Sequence, residues 1–186
     1  SFLDDPNIKK ESLGYKLFDA IEKKITTDAE LIISSIPRLN VYNEEVLSLD
    51  KPFFFLPICV DEDIIKDYNG PDFKTSLDPN KFTIGYCGSI GVSNNLEPLI
   101  QTILHLRNDT RFFFKIVGKG ALLDSFKKRL VECTNVKFYD VVPKDQVWRF
   151  NEAIDVGYVS THESDVWKYG QSLNKLVEYM NGGVPV

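Results

Sequence analysis

Histidine, methionine, tryptophan and cysteine are scarce in this chain, which has 2, 1, 2 and 3 of them respectively. The cysteines, Cys59, Cys87 and Cys133, lie far apart with no C-x-x-C pair, and an odd count of three closes no disulfide framework. That points to a reducing compartment, cytoplasmic or at the inner face of the membrane. His105 and His162 make no metal pattern with these cysteines, so no metal site is expected. A basic excess is also missing: 22 Lys and Arg stand against 27 Asp and Glu, a net charge of −5. Nucleic acid is therefore excluded as the main partner, although a local basic patch leaves peripheral membrane contact open. No apolar run approaches the roughly 20 residues of a membrane span, and no stretch reads as a signal peptide. The apolar share of 43% and charged share of 26% are those of a globular protein.

The sequence does contain a repeated alternation of apolar runs and amphipathic stretches. Strands are predicted at 82–87, 112–117, 136–138 and 156–159, and helices at 96–106, 122–131 and 144–151. A further helix and strand follow, reaching Val186. Strictly alternating strands and helices predict an α/β fold, a Rossmann-like parallel sheet with helices on both faces. The chain begins at Ser1 and stops at Val186 within what reads as a buried strand, and a fragment of a longer protein is expected. Upstream, a polar stretch with a turn at Asp4–Asn7 precedes a helix at 15–25. A short buried strand at 31–33, a helix at 38–47 and a proline-bounded strand at 52–57 follow, the pattern of a partial second α/β segment. The acidic, Gly- and Pro-broken stretch after them has the composition of a connection. The expected domains are 1–60, a linker at 61–81, and 82–186. No internal repeat is visible.

In such sheets ligands bind at the carboxyl ends of the strands, which selects the loops 88–95, 118–121, 139–143 and 160–172. The first, Gly88-Ser89-Ile90-Gly91-Val92-Ser93-Asn94-Asn95, has glycines for a tight turn and a close approach to an anion. The closing segment, GQSLNKLVEYMNGGVPV, reads as a loop opening into a helix. Ser172 is its predicted N-cap. Leu173, Leu176, Val177 and Met180 form its apolar stripe, with Lys175 and Glu178 pointing away and Gly182-Gly183 as the stop. A helix N-terminus with a nearby cation suits a phosphate, and a carboxylate one turn on suits a sugar hydroxyl.

This segment resembles the donor-binding helix of group-one, family-four-like retaining glycosyltransferases of the GT-B fold, where patterns of the type S-x-x-K-L-x-E-Y-M-x-x-G-x-P-V recur. The resemblance extends to Gly88–Gly91, which matches the first donor-side G-x-x-G loop. It includes Val117-Gly118-Lys119-Gly120 (V-G-x-G), Asn135–Pro143 (N-V-x-F-x-G-x-V-P, with Asp140 for the glycine) and Ala153–Val159. It implies that 82–186 is the donor-binding domain and 1–60 the end of the acceptor-side domain. The activity implied is transfer of a sugar, with retention, from a nucleotide-diphosphate sugar to a glycan or lipid-linked acceptor hydroxyl, with no cofactor or metal.

Glu178 would then bind the ribose, Lys175 and the helix start at Ser172, Leu173 and Asn174 the diphosphate, and the backbone of Val141 or Val142 the base. Gly88, Ser89 and Gly91 would approach the donor, although this loop lacks the arginine and lysine common there. The first of two customary glutamates is replaced by Gly170. Either Glu163 or Asp165 substitutes, or the sugar is held by Tyr169, Ser172 and the amides of Leu173 and Asn174. Gly118 and Gly120 are read as a packing turn, Lys119 as solvated, Asp155 as structural, and His162 as an acceptor or sugar contact or a solvated side chain. Pro57-Ile58-Cys59-Val60-Asp61 stands where P-N-G-V-D is usual. Catalytic residues are not assigned, and little turnover is expected from the chain alone. The competing readings are a nucleotide-sugar epimerase of the same architecture and a non-catalytic nucleotide-binding domain.

Overall fold

The structure, a computed structural model, describes residues 11–59, 70–74 and 80–186. The turn expected at Asp4–Asn7, the Val60-Asp61 end of the proline-led motif and most of the expected linker lie outside the described residues. The chain divides into two compact units, Ser1–Cys59 with Glu163–Ser172, and Val60–His162 with Leu173–Val186.

In the first unit, helix α1 (Leu13–Asp28) is capped by Ser12, whose hydroxyl accepts the Tyr15 N–H at 3.1 Å. Strand β1 (Ile32–Ser34) pairs in parallel with β2 (Phe53–Phe55), Ile32 opposite Phe53. Between them, α2 (Leu39–Tyr42) runs on into a π-turn, Asn43–Leu47. The expectation of a buried first strand is corrected: Ile33 is 58% exposed, because a sheet of two strands leaves one face without a covering layer.

The second unit is the predicted α/β sheet. Its strands β3 (Phe82–Cys87), β4 (Phe112–Val117), β5 (Val136–Tyr139) and β6 (Val156–Gly157) lie in the order β5-β4-β3-β6, all parallel. The helices between them are α3 (Glu97–His105), α4 (Leu123–Arg129) and α5 (Val147–Asn151), with α6 (Asn174–Asn181) after β6. Side chains alternate across the sheet, as a two-residue period requires. Tyr86, Phe114 and Ile116 enter one core with Leu99, Ile100, Ile103 and Phe126 of α3 and α4. Val117 enters the other, with Phe150 of α5 and Tyr179 of α6. The last predicted strand does not form. Residues 184–186 take no strand geometry, and Pro185 O accepts a single bond from Gly157 N at 2.8 Å.

Lys115 is the polar exception in the second core. Its side chain is fully buried, and its Nζ donates to Phe73 O at 2.7 Å and Ala153 O at 3.1 Å. Phe73 is itself 2% exposed and packs edge-on against Phe150 and Tyr139. Burial, with Lys137 adding repulsion, lowers the Lys115 ammonium to about 8. Between that value and the ordinary lysine range the unfolded chain binds the extra proton, so stability is expected to rise with pH from about 8 toward 10.5. In Lys115→Met, denaturant titrations at pH 7.5 to 10.5 should lack this component, so the stability gap between wild type and variant should change in favour of wild type as pH rises. A gap constant across the range would contradict the assignment.

Candidate functional site

The carboxyl ends of β3, β4 and β5 open onto a cleft of about 390 Å³ that lies wholly within the second unit. Cys87, Gly88 and Ser89 form one part of its wall and Val117, Gly118 and Lys119 another. Val141, Val142, Lys144 and Val147 line the third side, and Lys175 and Glu178 of α6 the fourth.

The first two loops are joined through their backbones. Gly88 N donates to Val117 O at 2.9 Å, and Ile90 N to Lys119 O at 2.8 Å. Gly118 has φ +148°, and a Cβ there would collide with the carbonyl of Gly88, so the predicted packing turn is also a wall of the cleft. A Cβ on Gly88 would strike the Lys175 side chain, which crosses directly over it.

Helix α6 is turned otherwise than its apolar stripe suggests. Leu176 and Met180 are 39% and 68% exposed, whereas Tyr179 is 1% exposed. The tyrosine ring lies flat on Gly157, where a Cβ would come within 2.5 Å of it. Its hydroxyl accepts the Cys87 N–H at 3.2 Å and faces Gly85 O at 3.4 Å. Asn151 of α5 donates to Glu178 O at 2.9 Å, fixing the same turn. With Tyr179 inward, Lys175 and Glu178, four and one residues before it, face the cleft. The predicted Ser172 cap is corrected as well: Leu173 occupies the N-cap position and makes no side-chain cap bond.

Burial acts on both charged groups in opposite senses. It lowers the Lys175 ammonium and raises the Glu178 carboxyl, the latter offset by Lys144 and then Lys175. The Cys87 thiol is pushed up to about 12, mainly by burial, so it is a packing group in the cleft floor at neutral pH.

Of the residues singled out in sequence, the cleft brings together Gly88, Ser89, Val141, Val142, Lys175 and Glu178. Gly91 instead begins a 3₁₀ turn, Val92–Asn94. Leu173 and Asn174 start α6 without lining the cleft. Tyr169 and Ser172 belong to the first unit. There Tyr169 is 2% exposed, stacks edge-on with Tyr42 and donates its hydroxyl to Glu45 Oε2 at 2.8 Å. Glu45 is held below the usual carboxylate range by that bond and by Lys168. Gly170 has φ +106°, and a Cβ on it would lie 2.5 Å from Pro37 Cγ, so the backbone there does not accept a side chain. His162 sets Nε2 2.6 Å from Val92 O, and as the Nε2–H tautomer it donates to that carbonyl.

Two cations escaped the sequence reading. Lys119 is exposed, as expected, and also lines the cleft, and so does Lys144, one residue past the loop chosen for inspection. The signal was available in Pro143, which stands at the N-cap of a 3₁₀ turn, Lys144–Gln146, that opens with Lys144. Among the described residues, none of Lys119, Lys144 and Lys175 forms an ion pair within 4.0 Å. Three cations against one carboxylate make the cleft electropositive in a chain that is acidic overall. Among the described residues no group of three or more His, Cys, Asp and Glu is placed to hold a metal ion, and no helix is long and apolar enough to cross a membrane.

No protein-family model matches the chain, and no curated protein does. Solved structures do match in fold. Sucrose-phosphate synthase from Thermosynechococcus elongatus aligns at a TM-score of 0.71 and 15% identity, covering 97% of this chain and 45% of that one. WaaG, a glycosyltransferase involved in lipopolysaccharide biosynthesis, aligns at 0.66 and 13%, covering 95% and 49%. HepE from Anabaena, solved with UDP and glucose, aligns at 0.65 and 13%, covering 100% and 50%. The chain thus spans about half the length of each of these structures. The fold they share with it is that of parallel α/β sheets flanked by helices, as in the Rossmann-like halves of the GT-B fold.

Proposed function

We propose that the cleft binds the nucleotide-diphosphate part of a sugar donor, and that the protein is a retaining glycosyltransferase of hexosyl type. It would pass the sugar to a glycan or lipid-linked hydroxyl, in polysaccharide biosynthesis on the cytoplasmic side of the membrane. The observation that carries this reading is the meeting of Lys175 and Glu178, on one face of α6, with the glycine turn of β3 in an electropositive cleft. Glu178 offers two acceptor oxygens for a ribose diol. Lys175 and Lys119 offer cations to the diphosphate, which gains negative charge as its bond to the sugar breaks. Val141, Val142 and Val147 supply an apolar wall for a base. Neighbours of the same fold support the donor class, one having been solved with UDP and glucose. Approach of Gly91 and of the α6 start at Leu173 and Asn174 to the donor remains part of the proposal, as does a reaction needing no cofactor.

The test is incubation of the chain, extended to the length of its structural neighbours, with a panel of nucleotide-sugars, with and without glycan acceptors, scored as released nucleotide and sugar transferred. Transfer with retained anomeric configuration supports the reading. Release of epimerised sugar without acceptor would favour the epimerase, and binding without turnover, in the chain extended to the length of its structural neighbours, a nucleotide-binding domain.

Lys119 and Lys144 give a second measurable consequence. Each is a flexible cation at the rim, so Lys119→Ala and Lys144→Ala should each weaken nucleoside diphosphate binding by roughly 3- to 10-fold at low salt. The loss should shrink toward nothing at about 1 M salt, where charges are screened within ~3 Å. Calorimetry at two salt concentrations checks it.

A further inference from the structure

We propose that Asn94 is a positioning residue for Lys175, and that its neutrality leaves the lysine's charge available to the donor phosphates. The inference rests on the donor-site reading and adds to it a residue outside the cleft lining. Lys175 Nζ donates to Asn94 Oδ1 at 2.9 Å. A lysine can only donate, which fixes the oxygen end of the amide toward it. Two more contacts define the path of the side chain: the stem passes over Gly88, and Nζ lies 5.4 Å from the centre of the Tyr86 ring. A half-buried ammonium is thus held by a dipole, a ring face and a glycine, with no carboxylate hydrogen-bonded to it among the described residues.

Asn94 is anchored independently of this bond. Ser160 Oγ lies 2.8 Å from the main-chain oxygens of both Asn94 and Asn95 and shares its single proton between them, and Asn95 Nδ2 donates to Thr161 O at 3.2 Å. The segment after β6 therefore holds the 3₁₀ turn by its backbone, and the Asn94 side chain is left to aim Lys175. The device makes chemical sense in a loop without its own cation. An amide orders the lysine yet does not neutralise it, whereas an aspartate of nearly the same shape would hold it more tightly and cancel its charge.

That contrast supplies the experiment. The chain and its variants Asn94→Ala, Asn94→Gln and Asn94→Asp are titrated calorimetrically with UDP, GDP and ADP, and with the matching nucleosides. For the diphosphate that binds wild type best, Asn94→Ala should cost about 3-fold and Asn94→Asp about 10-fold or more, while nucleoside affinity stays unchanged in both. Asn94→Gln should fall no further than Ala. The Lys175 side-chain nitrogen, followed by NMR in the ligand-free chain, should titrate higher in Asn94→Asp than in wild type, and the loss confined to the diphosphate is the change that a purely structural asparagine would not produce. Equal losses in the Ala and Asp variants, equal losses for nucleoside and diphosphate, or an unmoved Lys175 titration would overturn the proposal and leave the donor site standing. Failure of folded wild type to bind any of the three diphosphates would remove the donor site itself.

Discussion

Replacing Lys175 by alanine is expected to weaken nucleoside diphosphate binding by about 10- to 100-fold, the worth of roughly 1.5–3 kcal/mol carried by a charge-assisted hydrogen bond in a partly desolvated site. The expectation rests on position. Among the cleft's cations Lys175 alone is threaded across the Gly88 turn, fixed by Asn94, and shielded from solvent enough for burial to lower its ammonium. The sign of its pH dependence follows. The protonated form binds phosphate, so affinity should decline as pH rises through that lowered value, and Lys175→Arg should flatten the decline because a guanidinium stays charged. Nucleoside affinity should not respond to either variant. Calorimetry across pH with one diphosphate and its nucleoside checks all of this, and equal losses for both ligands would contradict the role.

A second large effect is expected from Gly118→Ala. At φ +148° an L side chain is strained, and the added methyl would run into the Gly88 carbonyl that closes the neighbouring loop. Backbone strain and overpacking together should cost about 3 kcal/mol or more, on the order of 10 °C in Tm for a chain of this length. Diphosphate binding should fall with it, because Gly88 and Ser89 must shift to make room. Thermal unfolding of the variant measures the first, and a Tm within about 2 °C of wild type would show that the two turns do not share the space the geometry gives them.

The sheet was legible in the sequence because β3 and β4 are largely apolar runs bounded by turn-formers and alternate with helical periods, while β5, at the sheet edge, keeps Lys137 exposed. Helix α6 was legible in extent and illegible in rotation. Counting hydrophobicity at helical spacing selects Leu173, Leu176, Val177 and Met180, but the residue that anchors the helix is Tyr179. Its hydroxyl finds the backbone of β3 and its ring finds the bare surface of Gly157. Those partners lie more than twenty residues upstream, where periodicity within one helix carries no information. The short strands of the first unit show the opposite failure. Ile32 and Ile33 have the composition of a core strand, yet burial depends on how many layers cover a sheet, which composition does not record.

The same distinction applies to the site. Gly88, Ser89, Lys175 and Glu178 were recognisable because their spacing along the chain follows a recurrent pattern. Lys119 and Lys144 belong to the cleft only because β4 and β5 end beside β3. Tyr169 illustrates the reverse case, since a tyrosine in a polar loop suits a sugar contact, while here its hydroxyl is committed to Glu45. Gly170 gains a physical meaning as well. Where the resembled pattern has a glutamate, the local backbone passes against Pro37 with a positive φ. Gly170→Glu should therefore lower stability and should not restore a second donor carboxylate, which thermal unfolding beside diphosphate titration would show.

The central claim is that α6 presents a phosphate cation and a ribose carboxylate to one cleft. Its most direct test is calorimetric titration of the folded chain with UDP, GDP and ADP, beside Lys175→Ala and Glu178→Ala. At least one diphosphate should bind wild type. Lys175→Ala should lose affinity for the diphosphate alone, and Glu178→Ala should lose it for diphosphate and nucleoside alike, with a 2′-deoxyribose analogue insensitive to that second change. A wild-type chain shown to be folded by circular dichroism that binds none of the three, or binding indifferent to both substitutions, would contradict it.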